Sequence, residues 1–61
     1  MSEEEKQKFI RWLDQLSVDN EALAVQTERI NQPVMTFQLR NEADAARLIA
    51  RRLRQTETHT L

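Results

Sequence analysis

The stretch Asn31-Gln32-Pro33 divides this chain into two segments that each have the composition of a helix. Proline cannot continue a helix that reaches it from the N-terminal side, because its ring clashes with the preceding turn, yet its fixed φ suits the first turn of a new helix. The 61-residue chain has no Gly and no other Pro, and sheets and tight turns normally use Gly where φ must be positive. The sequence therefore predicts two helices joined at Pro33.

Apolar residues recur at helical spacing before this break, with steps of four, three, seven and seven residues. The stripe consists of Phe9, Leu13, Leu16, Leu23 and Ile30, with Asn20 and Thr27 at its two polar positions. Written as heptads, Leu13, Asn20 and Thr27 take the a positions and the other four residues take the d positions. Ser2 followed by Glu5 matches a capping box at the start. This pattern predicts one helix over about 3–31.

A second interpretation breaks this helix at 17–20, where Ser17 and Asp19 are both suitable N-cap residues. The stripe keeps its phase across these positions, which favours the continuous helix. Asn20 fits both interpretations. In a seam between helices its amide would fix the register by a hydrogen bond, and at a break it would act as an N-cap.

The segment after Pro33 fits two secondary structures. Alternation of Met35, Phe37 and Leu39 with polar residues is typical of a half-buried strand. A helical stripe also runs through this segment and consists of Met35, Leu39, Ala46, Ile49 and Leu53. We expect a helix over about 33–54, with a short strand at 34–40 followed by a helix as the alternative. Residues 1–54 then form a single helical domain, and the polar residues 55–61 form a disordered tail.

A domain of this length buries little surface and usually needs a further source of stability. The chain has no Cys, so neither a disulfide nor a thiolate metal site can supply it. We therefore expect an all-α helical hairpin that assembles as a homodimer in a four-helix arrangement. The predicted dimer core consists of Phe9, Leu13, Leu16, Leu23, Ile30, Leu39, Ile49 and Leu53.

Charge is unevenly distributed along the chain. Residues 1–31 carry seven acidic and four basic residues, whereas residues 32–61 carry three acidic residues and five Arg. Arg47, Arg51 and Arg54 share one helix face, which could be solvated, with Asp44 pairing Arg47, or could bind phosphate or an acidic protein. Trp12 lies at the edge of the first stripe and could pack in a dimer seam or anchor a partner. The predicted partner-binding residues are Trp12, Arg47, Arg51 and Arg54.

The sequence contains no pattern that predicts catalysis or cofactor binding. It has one His, His59 in the polar tail, and lacks both a Gly-rich loop and a Ser–His–Asp set. We expect no catalytic, metal or cofactor-binding residues. No apolar run is long enough to span a bilayer, and the acidic start is unlike a signal peptide. We therefore expect a cytoplasmic protein that does not bind membranes.

Residues 35–40, Met-Thr-Phe-Gln-Leu-Arg, followed by a helix at 41–54, resemble the opening of ribbon–helix–helix repressors. That resemblance implies a strand paired with its twin in a dimer, with Thr36, Gln38 and Arg40 reading DNA and Met35, Phe37 and Leu39 in the core. The chain departs from the family because a long helix precedes this segment and no second helix follows it.

The whole chain, which is free of Cys and Gly and opens Met1-Ser2-Glu3-Glu4-Glu5-Lys6, is similar to small accessory proteins of temperate-phage early regions. That similarity implies binding to host or phage proteins. We expect a dimeric, non-enzymatic interaction or regulatory protein that binds and modulates an unidentified protein partner. The alternative is a small DNA-binding transcriptional regulator.

Overall fold

Two long helices pack against each other as a hairpin in a computed structural model that describes residues 1–56. Helix α1 spans Glu3–Arg29 and helix α2 spans Pro33–Thr56. The rod measures 48 × 16 × 12 Å. The all-α hairpin is thus confirmed, and α2 extends two residues beyond its predicted end. The remainder of the predicted tail, including His59, lies outside the described residues.

Both local alternatives are wrong. Helix α1 is continuous through 17–20, as the unbroken phase of the apolar stripe indicated. Residues 34–40 are α-helical, and the Thr36 amide donates to the Gln32 carbonyl at 3.0 Å. No strand lies in the described chain to pair with one at 34–40, so a helix, which satisfies its own backbone, forms instead. The strand implied by the ribbon–helix–helix resemblance is therefore absent from this segment.

The two helix ends that the sequence marked are capped locally. The Ser2 hydroxyl oxygen accepts from the Glu5 amide at 3.2 Å and donates to the Glu5 carboxylate at 3.0 Å. Glu3, Glu4 and Glu5 occupy the first turn, where the helix dipole favours negative charge. These contacts confirm the predicted helix start.

The turn closes α1 with a Schellman motif. Asn31 adopts a φ of 59°, and its amide donates to the Glu28 carbonyl at 3.1 Å. The Gln32 amide donates to the Thr27 carbonyl at 2.9 Å. Glycine normally occupies the left-handed position of this motif, and asparagine is the usual substitute. Pro33 then begins α2 with the chain already reversed.

We expect Asn31→Ala to destabilise the hairpin by about 1 kcal/mol, because a β-carbon without a compensating polar group is costly in the left-handed region. Asn31→Gly should not destabilise it, since glycine adopts this φ freely. Urea denaturation of the two variants measures the difference. Equal stability of both would show that the left-handed residue does not control the turn.

The interior of the hairpin, which we call the seam, is lined mostly by small or polar side chains. On both helices its positions are separated by alternating steps of three and four residues. Helix α1 contributes Ile10, Leu13, Ser17, Asn20, Ala24 and Thr27, and helix α2 contributes Thr36, Leu39, Ala43, Ala46, Ala50 and Leu53. Within residues 1–56, Ile10 is the one large side chain that is fully buried. The two helices therefore pack through small side chains that allow their backbones to approach closely, and few large side chains are buried between them.

Polar groups in the seam are paired. The Thr27 and Thr36 hydroxyl oxygens lie 2.6 Å apart. The Thr27 hydroxyl is 2.9 Å from the Ala24 carbonyl, and the Thr36 hydroxyl is 2.9 Å from the Gln32 carbonyl. Each hydroxyl has one proton, so two of these three bonds form at once. The Asn20 amide donates to the Glu42 carboxylate at 3.1 Å across the helices. The interpretation of Asn20 as a residue that hydrogen-bonds across a seam is thus confirmed.

The seam differs in phase from the stripe that the largest apolar residues predicted. Among the residues expected to form the dimer core, Leu13 is buried in the seam, and Leu16, Leu39 and Leu53 are half-buried. The remaining four are exposed in the single chain: Phe9, Leu23, Ile30 and Ile49. The helices meet one position away, where Ala and Ser allow close approach, and this leaves the bulky residues beside the seam.

Candidate protein-interaction surfaces

One side of the hairpin, which we call the apolar flank, carries most of the large apolar residues that the seam leaves exposed. Phe9, Leu16 and Leu23 recur every seven residues on α1, and Met35, Glu42 and Ile49 do so on α2. Each of these positions immediately precedes a seam residue, so all six adjoin the seam on the same side. Trp12 and Ala45 extend the surface outward and complete the set. The flank is therefore a largely apolar strip to which both helices contribute, with Glu42 as its one charged member.

A groove of about 340 Å³ runs along this flank. It is lined by Phe9, Trp12, Leu13, Leu16, Glu42, Ala45, Ala46 and Ile49. The Phe9 and Trp12 rings stack at its edge, with centroids 5.7 Å apart and an interplanar angle of 12°. Glu42 is its one charged residue, and its carboxylate already accepts from Asn20. The groove thus offers stacked aromatic and aliphatic surface with little to attract an ion.

The opposite side of the seam, which we call the ion-pair flank, holds three interhelical ion pairs. Arg40 pairs with Glu28 at 2.6 Å, Arg47 pairs with Glu21 at 2.6 Å, and Arg54 pairs with Asp14. The acids and the bases each recur every seven residues along their helix. The hydrogen bond to Glu21 raises the pKa of the Arg47 guanidinium. These pairs tie the charged side of α1 to the charged side of α2.

The ion-pair flank accounts for most of the predicted Arg face. Arg47 also contacts Asp44 at 3.1 Å, as predicted, and Arg54 is paired with the other helix. Arg51 is exposed and makes no ion pair with another described residue. The structure therefore does not bring these three side chains together as one free cationic surface. Their role in partner binding stays a prediction, and Trp12 belongs to the apolar flank instead.

We expect Arg40→Glu to destabilise the hairpin by about 1 kcal/mol at low salt, because an exposed attraction is replaced by repulsion from Glu28. The further change Glu28→Arg should restore the lost stability by recreating the pair in reverse. Thermal unfolding of the single and double variants measures both effects. Persistence of the loss in 1 M salt would contradict an electrostatic origin.

The turn end of the hairpin, which we call the tip, is a second apolar surface. Residues 30–39 carry no charged side chain. Ile30, Val34 and Phe37 are 66–70% exposed there. Beside Phe37 is a pocket of about 360 Å³ whose rim includes the Glu28–Arg40 pair. Sequence reasoning missed this surface, although the uncharged run of ten residues was visible in the sequence.

The described residues hold no group of three or more side chains suited to bind a metal ion. Neither described helix is apolar enough along its length to cross a membrane. Family models, curated proteins and solved structures were compared with this chain, and none of them matches it. Functional inference therefore rests on the surfaces of the hairpin itself.

Proposed function

We propose that this chain is a small non-enzymatic interaction protein that binds and modulates another protein, and that it works as a homodimer. The observation that supports this proposal is the way side chains are divided by size. Small and hydroxyl-bearing residues line the surface where the chain packs on itself, whereas Phe9, Trp12, Phe37 and Ile49 are left exposed. Contiguous exposed apolar surface on a small protein typically marks a site of protein association.

The hairpin offers two such surfaces, which can serve two different purposes. The apolar flank is long and involves both helices, as a subunit interface of a four-helix arrangement requires. The tip is compact and has an aromatic side chain beside a pocket, which is typical of the centre of a transient interface. We assign partner binding to the tip and infer that its ligand is an apolar segment of another protein, because residues 30–39 offer no charge to recognise an ionic ligand.

A DNA-binding regulator is less well supported by these contacts. Of the three side chains that would read DNA in the ribbon–helix–helix resemblance, Thr36 is buried in the seam and Arg40 is engaged by Glu28. Nucleic-acid binders present unpaired cationic side chains to phosphate. Here the ion-pair flank neutralises three of the five Arg of the C-terminal half.

Capture from bacterial lysate with the tagged full chain tests the proposal. We expect a specific protein that survives nuclease treatment and binds Phe37→Gln about 30-fold more weakly, as loss of an aromatic anchor does at interfaces. Val18→Gln is the matched control, because Val18 is 60% exposed on α1 but lies away from the tip.

Two results would contradict the proposal. Retention of the captured protein at full strength by Phe37→Gln would exclude the tip as its binding site. Capture of nucleic acid that is lost with nuclease or at higher salt would favour the DNA-binding alternative.

A further inference from the structure

The seam alone gives the hairpin little apolar stabilisation. Its buried apolar residues include two large side chains, Ile10 and Leu13, and the others are Ala24, Ala43, Ala46 and Ala50. Alanine removes little apolar area from water, so each such layer contributes far less than a layer of Leu or Ile would. Domains of this size normally gain the missing stability from another chain or a covalent link. A surface that supplies it must be apolar and must involve both helices.

The apolar flank meets this requirement. Phe9, Leu23, Met35 and Ile49 are 37–52% exposed, so each side chain is partly packed against the hairpin and partly free. Two of them lie on each helix, separated by a multiple of seven residues, and all four are on the same side of the seam. A second hairpin packed against these residues would cover them, and the two hairpins together would form a four-helix arrangement.

Charge identifies what covers the flank. A twofold interface places one patch against an identical patch, so a charge on it needs an opposite charge on the same patch to pair across the interface. The groove holds a single ionisable side chain, Glu42, which is already hydrogen-bonded to Asn20. All three interhelical ion pairs of the described chain lie on the opposite flank. The apolar flank is thus nearly free of self-repulsion and has no charge pattern that would select a different protein.

The size of the face is also suitable. The side of the rod that includes both helices is 48 Å long and 16 Å wide, so the two helices of a second hairpin fit along it. The neighbouring tip residues Val34 and Phe37 occupy positions on α2 that point away from this side. A dimer formed here would therefore leave Val34 and Phe37 of each copy accessible.

We propose that two copies of this chain pack apolar flank against apolar flank, with the Phe9–Trp12 stacks and the Ile49 side chains buried between them. This inference rests on the proposed homodimer and adds the surface through which it forms. Each dimer then carries two tips, so a partner with two copies of the recognised segment binds with avidity.

Sedimentation equilibrium of the full chain tests the interface with a closely matched pair of variants. Ile49 and Leu48 are neighbours on α2 with exposed fractions of 44% and 45%, but only Ile49 lines the groove. The wild-type chain of 7.2 kDa should sediment at twice its mass at micromolar concentration. Ile49→Glu should raise the dissociation constant at least about 100-fold by burying an unpaired carboxylate, whereas Leu48→Glu should change it by no more than about twofold.

Dilution of the wild-type chain gives an independent measurement if Ile49→Glu fails to fold. Trp12 is the chain's one Trp, and its fluorescence should shift to longer wavelength on dilution, with the same midpoint as the change in mass. Equal weakening by Leu48→Glu and Ile49→Glu, or a dimer that dissociates without a shift in Trp12 fluorescence, would overturn the flank interface and leave the homodimer standing. A wild-type chain that stays monomeric at hundreds of micromolar would overturn both, while capture through Phe37 would remain a separate result.

Discussion

Replacing Ala43 by leucine should lower the free energy of unfolding by about 2 kcal/mol, because the added side chain has no space between the helices. Ala43 is 0% exposed, and it lies among small seam residues where the two helices approach closely. A leucine there would force the helices apart. The interhelical bond between Asn20 and Glu42, 3.1 Å long in the native hairpin, would lengthen with them.

Urea denaturation at a fixed protein concentration measures this loss, since a dimer makes apparent stability depend on concentration. Ala22→Leu is the control, because Ala22 is exposed on α1 and a leucine there meets solvent. A drop in stability for Ala43→Leu alone supports the close-packed seam. If Ala43→Leu were as stable as the wild type, the seam would have to contain free volume that the structure does not show.

Ile10→Ala should destabilise the hairpin by about 3 kcal/mol, the usual cost of removing a large aliphatic side chain from a core. Ile10 is 2% exposed and packs in one cluster with Leu13, Ala46 and Ala50. The two alanines are too small to fill the cavity, and Leu13 is already packed in the cluster. Because a protein of this size has little stability to lose, much of the variant population should be unfolded at room temperature.

Circular dichroism at 222 nm and thermal unfolding measure the effect. Val18→Ala removes apolar atoms from an exposed position on the same helix and should cost no more than about 0.5 kcal/mol. Ile10→Val should fall between the two, near 1 kcal/mol. A loss below about 1 kcal/mol for Ile10→Ala would show that the cluster around Ile10 is not the main source of stability.

The hairpin could be predicted because its strongest signals are local. Two of these signals are the break at Asn31-Gln32-Pro33 and the cap at Ser2, which each act on the backbone of a few neighbouring residues. The absence of Gly is the third, because it favours helices throughout the chain. The structure agrees with all three. At 34–40 the sequence fits both a strand and a helix. The helix is preferred because the helical apolar stripe continues from Met35 to Leu53, beyond the end of the alternating segment.

The phase of the packing could not be predicted from hydrophobicity alone. Phe9, Leu16 and Leu23 form the stronger apolar stripe, while the neighbouring stripe includes Ser17 and Ala24. Both stripes repeat every seven residues, and apolar periodicity identifies the bulkier one without showing which one faces the other helix of the same chain. Close packing of two helices requires small side chains, so the stripe that includes Ser17 and Ala24 faces the other helix.

The charges contained the missing information. Acidic residues spaced by seven on α1, and Arg spaced by seven on α2, predict which sides of the two helices face each other, since opposite charges that flank a helix–helix seam pair across it. Treating Arg47, Arg51 and Arg54 as one helix face concealed this period, because Arg40, Arg47 and Arg54 are the residues that share it. The tip was missed for a different reason: exposure of a side chain such as Phe37 depends on tertiary structure.

The seam, the ion pairs and the apolar flank all repeat every seven residues, so sliding one helix by a heptad would preserve part of this pattern. Sliding α2 by one heptad would still allow two of the three interhelical ion pairs to form. The native alignment is distinguished by contacts that lack this period, such as the Thr27–Thr36 hydroxyl pair and the short turn closed by Asn31. The short turn therefore excludes an alignment slipped by one heptad, because three residues between the helices do not reach far enough to connect it, whereas a longer loop would permit it.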